Sequence, residues 1–349
     1  MGAGYAAGLQ ISRPEWSGRY VVGMDAFTKD VVGAKSRNIA ELRGRIPDWI
    51  GIPASVTIPF GTFEAVLDEP MNAEIKRGIA DAASRVPDDP ETFLEECKEL
   101  AMGVQIPDAM WDAIMQHTQG EAGKGKGGSI QWEVGASGDV REDKRMILHA
   151  IKSVWASKFN ARAYYSLHKA RLDFMDVRMA VLIQRVIRAK YAFVIHTTNP
   201  STGDEGEIYC EVVKGLGEVL VGNYPGRALS FVVSKSDMQR PIIESFPSKS
   251  VGLYLPESLM FRSDSNGEDL EGYAGAGLYD SVPLQYPEPK RVDYSDDPIM
   301  TDEAFRRKLL VQIAQVGLEL EQVLGSAQDV EGCVDENGDI VVVQTRPQM

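Results

Sequence analysis

Residues 328–348 read QDVEGCVDENGDIVVVQTRPQ, and this stretch indicates the fold more clearly than any other part of the chain. Its turn residues, ENGD at 336–339, separate two runs that are rich in β-branched side chains. An Asn-Gly pair between two such runs is typical of a tight β-hairpin. The sequence therefore predicts two antiparallel strands here, whose outer ends meet.

Four polar side chains fall at the outer ends of this hairpin. Asp329 and Glu331 are two residues apart in the first strand and therefore share a face, and Gln344 and Arg346 do so in the second. Oxygen donors beside a cation can hold a hard divalent metal ion and the phosphates that the ion carries. The pattern predicts such a site, and a terminal hairpin with solvated charges is the alternative.

The composition is that of a globular protein. The chain has 349 residues, 44% of them hydrophobic, which suffices for two or three domains or subdomains with buried cores. The formal net charge of −14 argues against a broad nucleic-acid or anionic-membrane surface, although a nucleotide needs only a few local cations. Cys97, Cys210 and Cys333 are isolated, so neither a disulfide framework nor a zinc site is indicated. With no long apolar run or basic leader, neither a nucleic acid nor a membrane is a predicted partner.

The spacing of apolar residues changes along the chain. A Gly-rich lead-in at 1–30 precedes mainly helical spacing at 31–177, which includes one long amphipathic stretch at 142–171. Strand-like runs then follow at 179–187, 191–197, 207–213, 229–233, 259–262 and 278–282, before a helix at 303–324. We therefore predict an α+β protein with a helix-rich subdomain at 31–177 and a β-rich, largely antiparallel subdomain at 178–349.

Two basic residues lie in segments that suit phosphate. In GAKS, residues 33–36, Lys35 stands where a glycine turn meets a helix start, and backbone N–H groups there favour an anion. Arg262 ends a predicted strand and opens a polar, Gly-rich segment that runs to Gly277, whose backbone can approach a polyphosphate closely. An exposed lysine and an ordinary surface loop are the alternatives.

Two further motifs can serve a nucleotide or only the fold. The run AVLIQRVI at 180–187 contains one amide, Gln184, and is either a strand that reads an adenine edge or a buried strand. Glu218, in GLGE at 215–218, can bond a ribose or end a turn.

Two other segments look structural. The residues GEAGKGKG at 120–127 nearly form a Walker A loop, but glycine replaces the metal-binding Ser or Thr, so a connector is predicted, with a short strand after it at 130–134. His196 has no carboxylate in its flanking sequence to orient the ring and is predicted to be a structural histidine.

Taken together, these motifs resemble a known domain. The resemblance is to the ATP-binding domain of the pyruvate phosphate dikinase and phosphoenolpyruvate synthase group, and it rests on GAKSRN at 33–38, AVLIQ at 180–184, TTNP at 197–200, GLGE at 215–218, DVE at 329–331 and QTRP at 344–347. Residues 207–227 and 261–280 look more like the C-terminal nucleotide-binding domain of the alpha-glucan, water dikinases. The likeness covers residues 13–349.

The resemblance implies an ATP-grasp-type fold that grips the nucleotide between subdomains. In that family, a lysine and two arginines at the matching positions contact phosphates, and the acidic pair and glutamine of the hairpin sit at magnesium. The site residues implied are Lys35, Arg262 and Arg346 as catalytic groups that also bind ATP, Gln184, Glu218 and Asp329 as further ligands of the nucleotide, and Glu331 and Gln344 as ligands of Mg²⁺.

The resemblance also implies a reaction. Family members move the β-phosphate of ATP onto a histidine of a separate swivelling domain and release the γ-phosphate to water; the phosphohistidine then phosphorylates a glucosyl unit of starch. The histidine segment does not occur in this chain. Phosphohistidine and starch-binding domains of a longer polypeptide are therefore the expected partners, starch the final acceptor and the chloroplast the location. A pyruvate-type dikinase or synthase domain and a non-catalytic nucleotide-binding module are the alternatives.

Two departures from the pyruvate-type pattern bear on the site. The arginine segment precedes the long helix in those enzymes, whereas Arg262 follows the strands of 179–233, so it reaches the site only if the fold brings it back. In addition, Thr198 stands where those enzymes have an arginine, which removes a possible phosphate contact.

Overall fold

The computed structural model describes residues 11–85, 90–119, 139–222, 224–256, 258–268 and 277–348. The predicted connector at 120–127, the predicted strand at 130–134 and part of the Gly-rich segment, 269–276, lie outside these ranges. The chain divides into two compact units. The first comprises Met1–Arg37, Ala54–Arg185 and Ser258–Leu284, and the second comprises Asn38–Pro53, Val186–Glu257 and Gln285–Met349.

Helices and strands alternate irregularly along the chain. The helices are α1 (Ala34–Leu42), α2 (Thr62–Asp68), α3 (Ala73–Ala83), α4 (Pro90–Gly103), α5 (Asp108–Gln119), α6 (Val140–Ala156), α7 (Ala161–Lys169), α8 (Glu218–Val221), α9 (Pro298–Thr301) and α10 (Glu303–Leu324). The strands are β1 (Val22–Gly23), β2 (Ile50–Gly51), β3 (Ser55–Ile58), β4 (Met179–Arg185), β5 (Ala189–His196), β6 (Glu207–Lys214), β7 (Leu229–Ser234), β8 (Ile242–Ser245), β9 (Val251–Tyr254), β10 (Leu259–Ser265), β11 (Val282–Pro283), β12 (Glu288–Arg291), β13 (Gln328–Asp335) and β14 (Ile340–Pro347).

The first unit packs helices on one face of an antiparallel sheet with strand order β1-β3-β4-β10-β11. Val56, Val181 and Phe261 point into a core that also contains Ile151 and Trp155 of α6. Because side chains alternate along a strand, the neighbours of these residues occupy the opposite face. That second face carries the polar residues of the sheet that matter for the site.

The second unit is built on a seven-stranded sheet with the order β2-β14-β13-β5-β6-β7-β8. Its pairings are antiparallel except that of β14 with β2. Helix α10 lies closely on one face, since a Cβ added to Gly317 would be 2.7 Å from Cγ2 of Ile195 and 3.3 Å from Cγ2 of Thr197. His196, between those two residues, therefore points to the face away from α10.

The predicted α+β class with mainly antiparallel sheets is confirmed, as are the helix at 303–324 and the hairpin at 328–348. The stretch at 142–171 is not one helix: it breaks at Ser157–Phe159, a 3₁₀ turn between α6 and α7. The strand predicted at 278–282 is wrong apart from its last residue, because β11 covers only Val282–Pro283.

The two units do not follow the division predicted at residue 178. Strand β4 belongs to the first unit because it pairs with β3 on one side and with β10 on the other. The described part of the predicted lead-in, residues 11–30, includes β1, which extends the same sheet by pairing with β3. Among the described residues, no helix is long and apolar enough to cross a membrane.

Candidate nucleotide site

The terminal hairpin brings its four polar side chains together as predicted. Asp329 lies directly opposite Arg346, and Glu331 lies opposite Gln344. The register shifts after Glu331, so that Val343 is an extra residue in β14. A β-bulge of this kind bends a strand and re-aims its side chains, and such bulges are common beside active sites.

Two cross-strand rows of side chains extend from the hairpin over the face away from α10. The first row is Arg346 (β14), Asp329 (β13), His196 (β5) and Tyr209 (β6). The second row, one pleat further along, is Gln344, Glu331, Val194 and Glu211 in the same strands. Strand alternation thus places a cation, several oxygen donors and an imidazole on one surface.

Asp329 is held from both sides within the first row. Its Oδ1 is 2.7 Å from Nδ1 of His196, and its Oδ2 accepts a hydrogen bond of 3.3 Å from Nε of Arg346. Since a carboxylate only accepts, Nδ1 of His196 carries the proton. The contact with Arg346 uses Nε and leaves its two terminal amino groups outside that bond.

The second row offers a donor set that fits magnesium. Glu331 supplies a carboxylate and Gln344 an amide oxygen, both hard oxygen ligands, on directly opposed residues. Mg²⁺ is commonly held by one or two such protein groups, with phosphate oxygens and water completing the octahedron. Within the described ranges, no group of three or more His, Cys, Asp or Glu side chains forms a complete metal site.

Lys35, in the first unit, lies at the start of α1 as predicted, but the backbone N–H groups there are not open to a phosphate. The backbone N–H groups at the start of α1 are bound by the protein's own anion, since Asp264 accepts from the N–H of Gly33 and Lys35 at 2.9 Å each. The ammonium group of Lys35 donates to the carbonyl oxygen of Ser263 at 2.7 Å and pairs with the Glu268 carboxylate. A phosphate at Lys35 would therefore meet the side chain rather than the helix N-terminus.

Asp264 is fully buried beneath this turn. Burial raises the pKa of its carboxyl, and the hydrogen bonds from Ser36 and Lys35 together with the Lys35 charge act in the opposite direction. Gly33 is required for the contact, because a Cβ there would lie 2.6 Å from Cγ of Asp264 and 2.7 Å from its backbone oxygen. The glycine of the GAKS segment thus allows the Asp264 carboxylate to approach the backbone closely.

Arg262 and Gln184 lie on one face of the five-stranded sheet. Arg262 is opposite Leu182 of β4, and Met260 is opposite Gln184, so the two polar residues are one pleat apart on neighbouring strands. Gln184 also donates a 3.3 Å hydrogen bond to Oγ of Ser55 in β3. The fold therefore returns Arg262 to the strand of Gln184 despite the altered order of segments.

Glu218 begins the short helix α8 in the second unit and is exposed to solvent. The turn before it depends on Gly215, whose φ is +81° and whose added Cβ would lie 2.5 Å from the carbonyl oxygen of Leu253. Lys214 anchors the preceding strand end through a 2.7 Å ion pair with the buried Asp297. These contacts fix the GLGE turn, and a role for Glu218 at the ribose stays a prediction.

Sequence reasoning missed three residues at these sites. His196 was predicted to be structural because no carboxylate flanks it in the sequence, but the structure supplies an orienting carboxylate from Asp329, 133 positions away in the chain. Asp264 and Glu268, which hold the Lys35 turn, also come from a distant strand and its following loop. Glu268 belongs to the polar segment that begins at Arg262, but no local pattern in that segment indicated that Glu268 pairs with Lys35.

Comparison with known proteins agrees with the resemblance that the sequence motifs indicate. A family model described as pyruvate phosphate dikinase, AMP/ATP-binding domain, matches residues 140–349. The chain is 48% identical over 346 residues to a chloroplastic alpha-glucan water dikinase of Citrus reticulata, covering 99% of this chain and 23% of that protein. It is 46% identical over 341 residues to the chloroplastic alpha-glucan water dikinase 1 of Arabidopsis thaliana, covering 98% of this chain and 24% of that protein.

A more distant relative also aligns over most of the chain. A rifampicin phosphotransferase of a Streptomyces species is 24% identical over 351 residues, covering 95% of this chain and 36% of that protein. The chain spans roughly a quarter of the length of the water dikinases that it matches.

Proposed function

Because the chain belongs to the pyruvate phosphate dikinase AMP/ATP-binding domain family, we propose that it binds ATP with Mg²⁺ and presents the β-phosphate to a histidine of another domain. That histidine then passes the phosphoryl group to a glucosyl unit of starch in the chloroplast. The near-complete coverage by the two chloroplastic water dikinases supports this acceptor and location. Since those relatives are much longer, the phosphohistidine and starch-binding domains belong to further parts of one polypeptide.

The observation that carries the proposal is the pairing of Asp329 with Arg346 and of Glu331 with Gln344 on one surface of the second unit. Phosphoryl transfer is catalysed mainly by positioning and by neutralising the charge on the moving group. A fork-shaped guanidinium next to two oxygen ligands supplies both functions. Bound magnesium would add charge neutralisation at the phosphate oxygens.

The remaining residues are assigned by their chemistry. Lys35 and Arg262 of the first unit contact phosphate oxygens in this proposal, because each offers a positive donor beside the same strand: the Lys35 ammonium donates to the carbonyl oxygen of Ser263, which follows Arg262 in β10. Gln184, with an amide that can donate and accept, reads the adenine edge. Glu218 contacts the ribose, and Asp329, which was predicted as a ligand of the nucleotide, serves the site by orienting Arg346.

The test uses the full-length protein and ATP labelled at either the β- or the γ-phosphate. The proposal expects β-label on a histidine outside residues 1–349, γ-label released as inorganic phosphate, and subsequent β-label on added glucan. Transfer to pyruvate instead would favour a pyruvate-type enzyme. Tight ATP binding without any labelled histidine would identify a non-catalytic nucleotide module.

Lys35 gives a prediction that separates phosphate contact from folding. Lys35→Ala is expected to lower β-phosphoryl transfer by about 10²–10³-fold, because a charge aimed at the phosphates is lost. It also removes the cation beside Glu268, a side chain only 5% exposed, which is expected to cost about 3 kcal/mol of stability. The initial transfer rate and the urea unfolding midpoint measure the two effects.

The double variant Lys35→Ala with Glu268→Gln provides the matched control for this experiment. The neutral amide needs no cation, so the unfolding midpoint should recover while the transfer rate stays low. Recovery of the rate together with the midpoint would mean that Lys35 serves only the fold.

A further inference from the structure

We propose that His196 is a positioning residue of the nucleotide site, which holds Asp329 and, through it, Arg346 in the orientation that receives the triphosphate. The inference rests on the proposed function and adds a residue that none of the sequence motifs assigned to the site. It assigns no direct contact between His196 and the nucleotide.

The geometry of the first cross-strand row carries the inference. His196 lies directly opposite Asp329, which lies directly opposite Arg346, in three neighbouring strands. One carboxylate oxygen of Asp329 faces the imidazole at 2.7 Å and the other faces the guanidinium at 3.3 Å. A carboxylate fixed at both oxygens has neither rotational freedom about its last bond nor an oxygen without a protein partner.

The hydrogen bond to Asp329 fixes the plane of the Arg346 guanidinium. Its guanidinium is planar, so a hydrogen bond at Nε fixes the direction of both terminal amino groups. Those groups can then form the two parallel bonds by which arginine recognises phosphate. Without His196, Asp329 could turn toward solvent or magnesium, and the same arginine would need to be ordered at the moment of binding.

The division of labour between the two acidic residues also follows. Asp329 is committed to its neighbours within the first row, whereas Glu331 stands beside Gln344 in the second row. His196 therefore keeps the two carboxylates in separate roles: Asp329 orients the arginine, and Glu331 remains the carboxylate assigned to the metal.

The imidazole itself is held by packing. Its ring centroid is 6.1 Å from that of Tyr209, the next residue of the row, at an interplanar angle of 32°. The His196 side chain is 26% exposed and that of Asp329 is 18% exposed, so the hydrogen bond is partly shielded from water. A ring without a donor could preserve this packing but not the bond to Asp329.

That distinction defines the experiment. In the full-length protein, His196 is replaced by Phe, which keeps a ring but has no donor, and by Asn, whose amide nitrogen takes the place of Nδ1. Asp329→Asn and the double variant His196→Phe with Asp329→Asn complete a thermodynamic cycle. His149→Phe, at an exposed position of α6, is the matched histidine control. Affinity for ATP with Mg²⁺ is measured by calorimetry, with KM and kcat for β-phosphoryl transfer alongside.

His196→Phe is expected to weaken ATP binding by about 10–100-fold, as removal of a group that orients a ligand-binding residue commonly does. His196→Asn should restore most of the affinity, and the double variant should bind no more weakly than Asp329→Asn alone. Affinity unchanged in His196→Phe, or equal losses in the Phe and Asn variants, would overturn the inference while ATP binding by the parent protein upholds the proposed function. A parent protein that does not bind ATP would overturn both.

Discussion

Replacement of Arg346 by alanine is expected to reduce the proposed β-phosphoryl transfer by about 10³–10⁵-fold, the range found when an arginine that stabilises the transferring phosphoryl group is lost. Arg346 lies opposite Asp329, which fixes its Nε and directs the terminal amino groups. The measurement is the initial rate of label transfer from ATP to the histidine domain in the full-length protein.

Arg188→Ala is the matched control for that variant. Arg188 lies in the same unit, is 52% exposed and pairs at 3.9 Å with Glu336 at the turn of the hairpin. Its loss should change the rate less than twofold. Arg346→Lys should give an intermediate rate, since lysine keeps the charge but not the planar fork. A rate for Arg346→Ala equal to that of the parent would remove Arg346 from the catalytic set.

Replacement of Glu331 by alanine should reduce the proposed transfer at physiological magnesium by about 10²–10³-fold. The variant removes the only carboxylate assigned to the metal and leaves Gln344 as a single neutral ligand. The magnesium concentration for half-maximal rate should rise by at least about tenfold, because a charged oxygen ligand contributes most of the site's affinity. A magnesium titration of the transfer rate tests both statements.

Glu336→Ala tests whether charge alone explains the effect of Glu331. Both residues belong to the same hairpin, but Glu336 is at the turn and 67% exposed. Its removal lowers the negative charge of the protein equally and should leave the magnesium titration unchanged. Identical shifts in the two variants would point to a general field effect rather than coordination.

The parts of the fold that the sequence predicted have local causes. The turn at 336–339 requires residues that tolerate its backbone geometry, and the flanking β-branched runs leave few alternatives to a hairpin. The helix predicted at 303–324 was equally clear because its helical period is long, and in the structure Asp302 and Gly325 cap the 22-residue helix α10.

Shorter elements were missed for the opposite reason. Strand β3 has four residues, all buried, so it offers no alternation to detect. Strand β12 is fully exposed and consists of Glu288, Pro289, Lys290 and Arg291, which lack strand propensity and acquire the conformation by pairing with β9. Tertiary pairing, rather than local preference, decides such segments.

The residues of the site also fall into two groups: those that local spacing predicts and those that only tertiary pairing brings together. Spacing within one hairpin was enough to predict that Asp329, Glu331, Gln344 and Arg346 meet. The neighbours that hold the functional side chains are 133 residues apart for His196 and Asp329 and 229 residues apart for Lys35 and Asp264. No periodicity in a single sequence reports a contact between strands whose pairing order is not yet known.

The order of strands in the first unit has a consequence for biosynthesis. Its sheet needs β10 and β11, which the ribosome produces only after β5 to β9 of the second unit. The hydrogen-bonding edge of β4 therefore waits for its partner through the translation of more than seventy residues, several seconds at ordinary elongation rates of about 5–20 residues per second. During this interval the nascent chain has an open β-edge, which can pair with other chains. The fraction of the protein that folds should therefore depend on chaperone contact and on the speed of translation between residues 186 and 258.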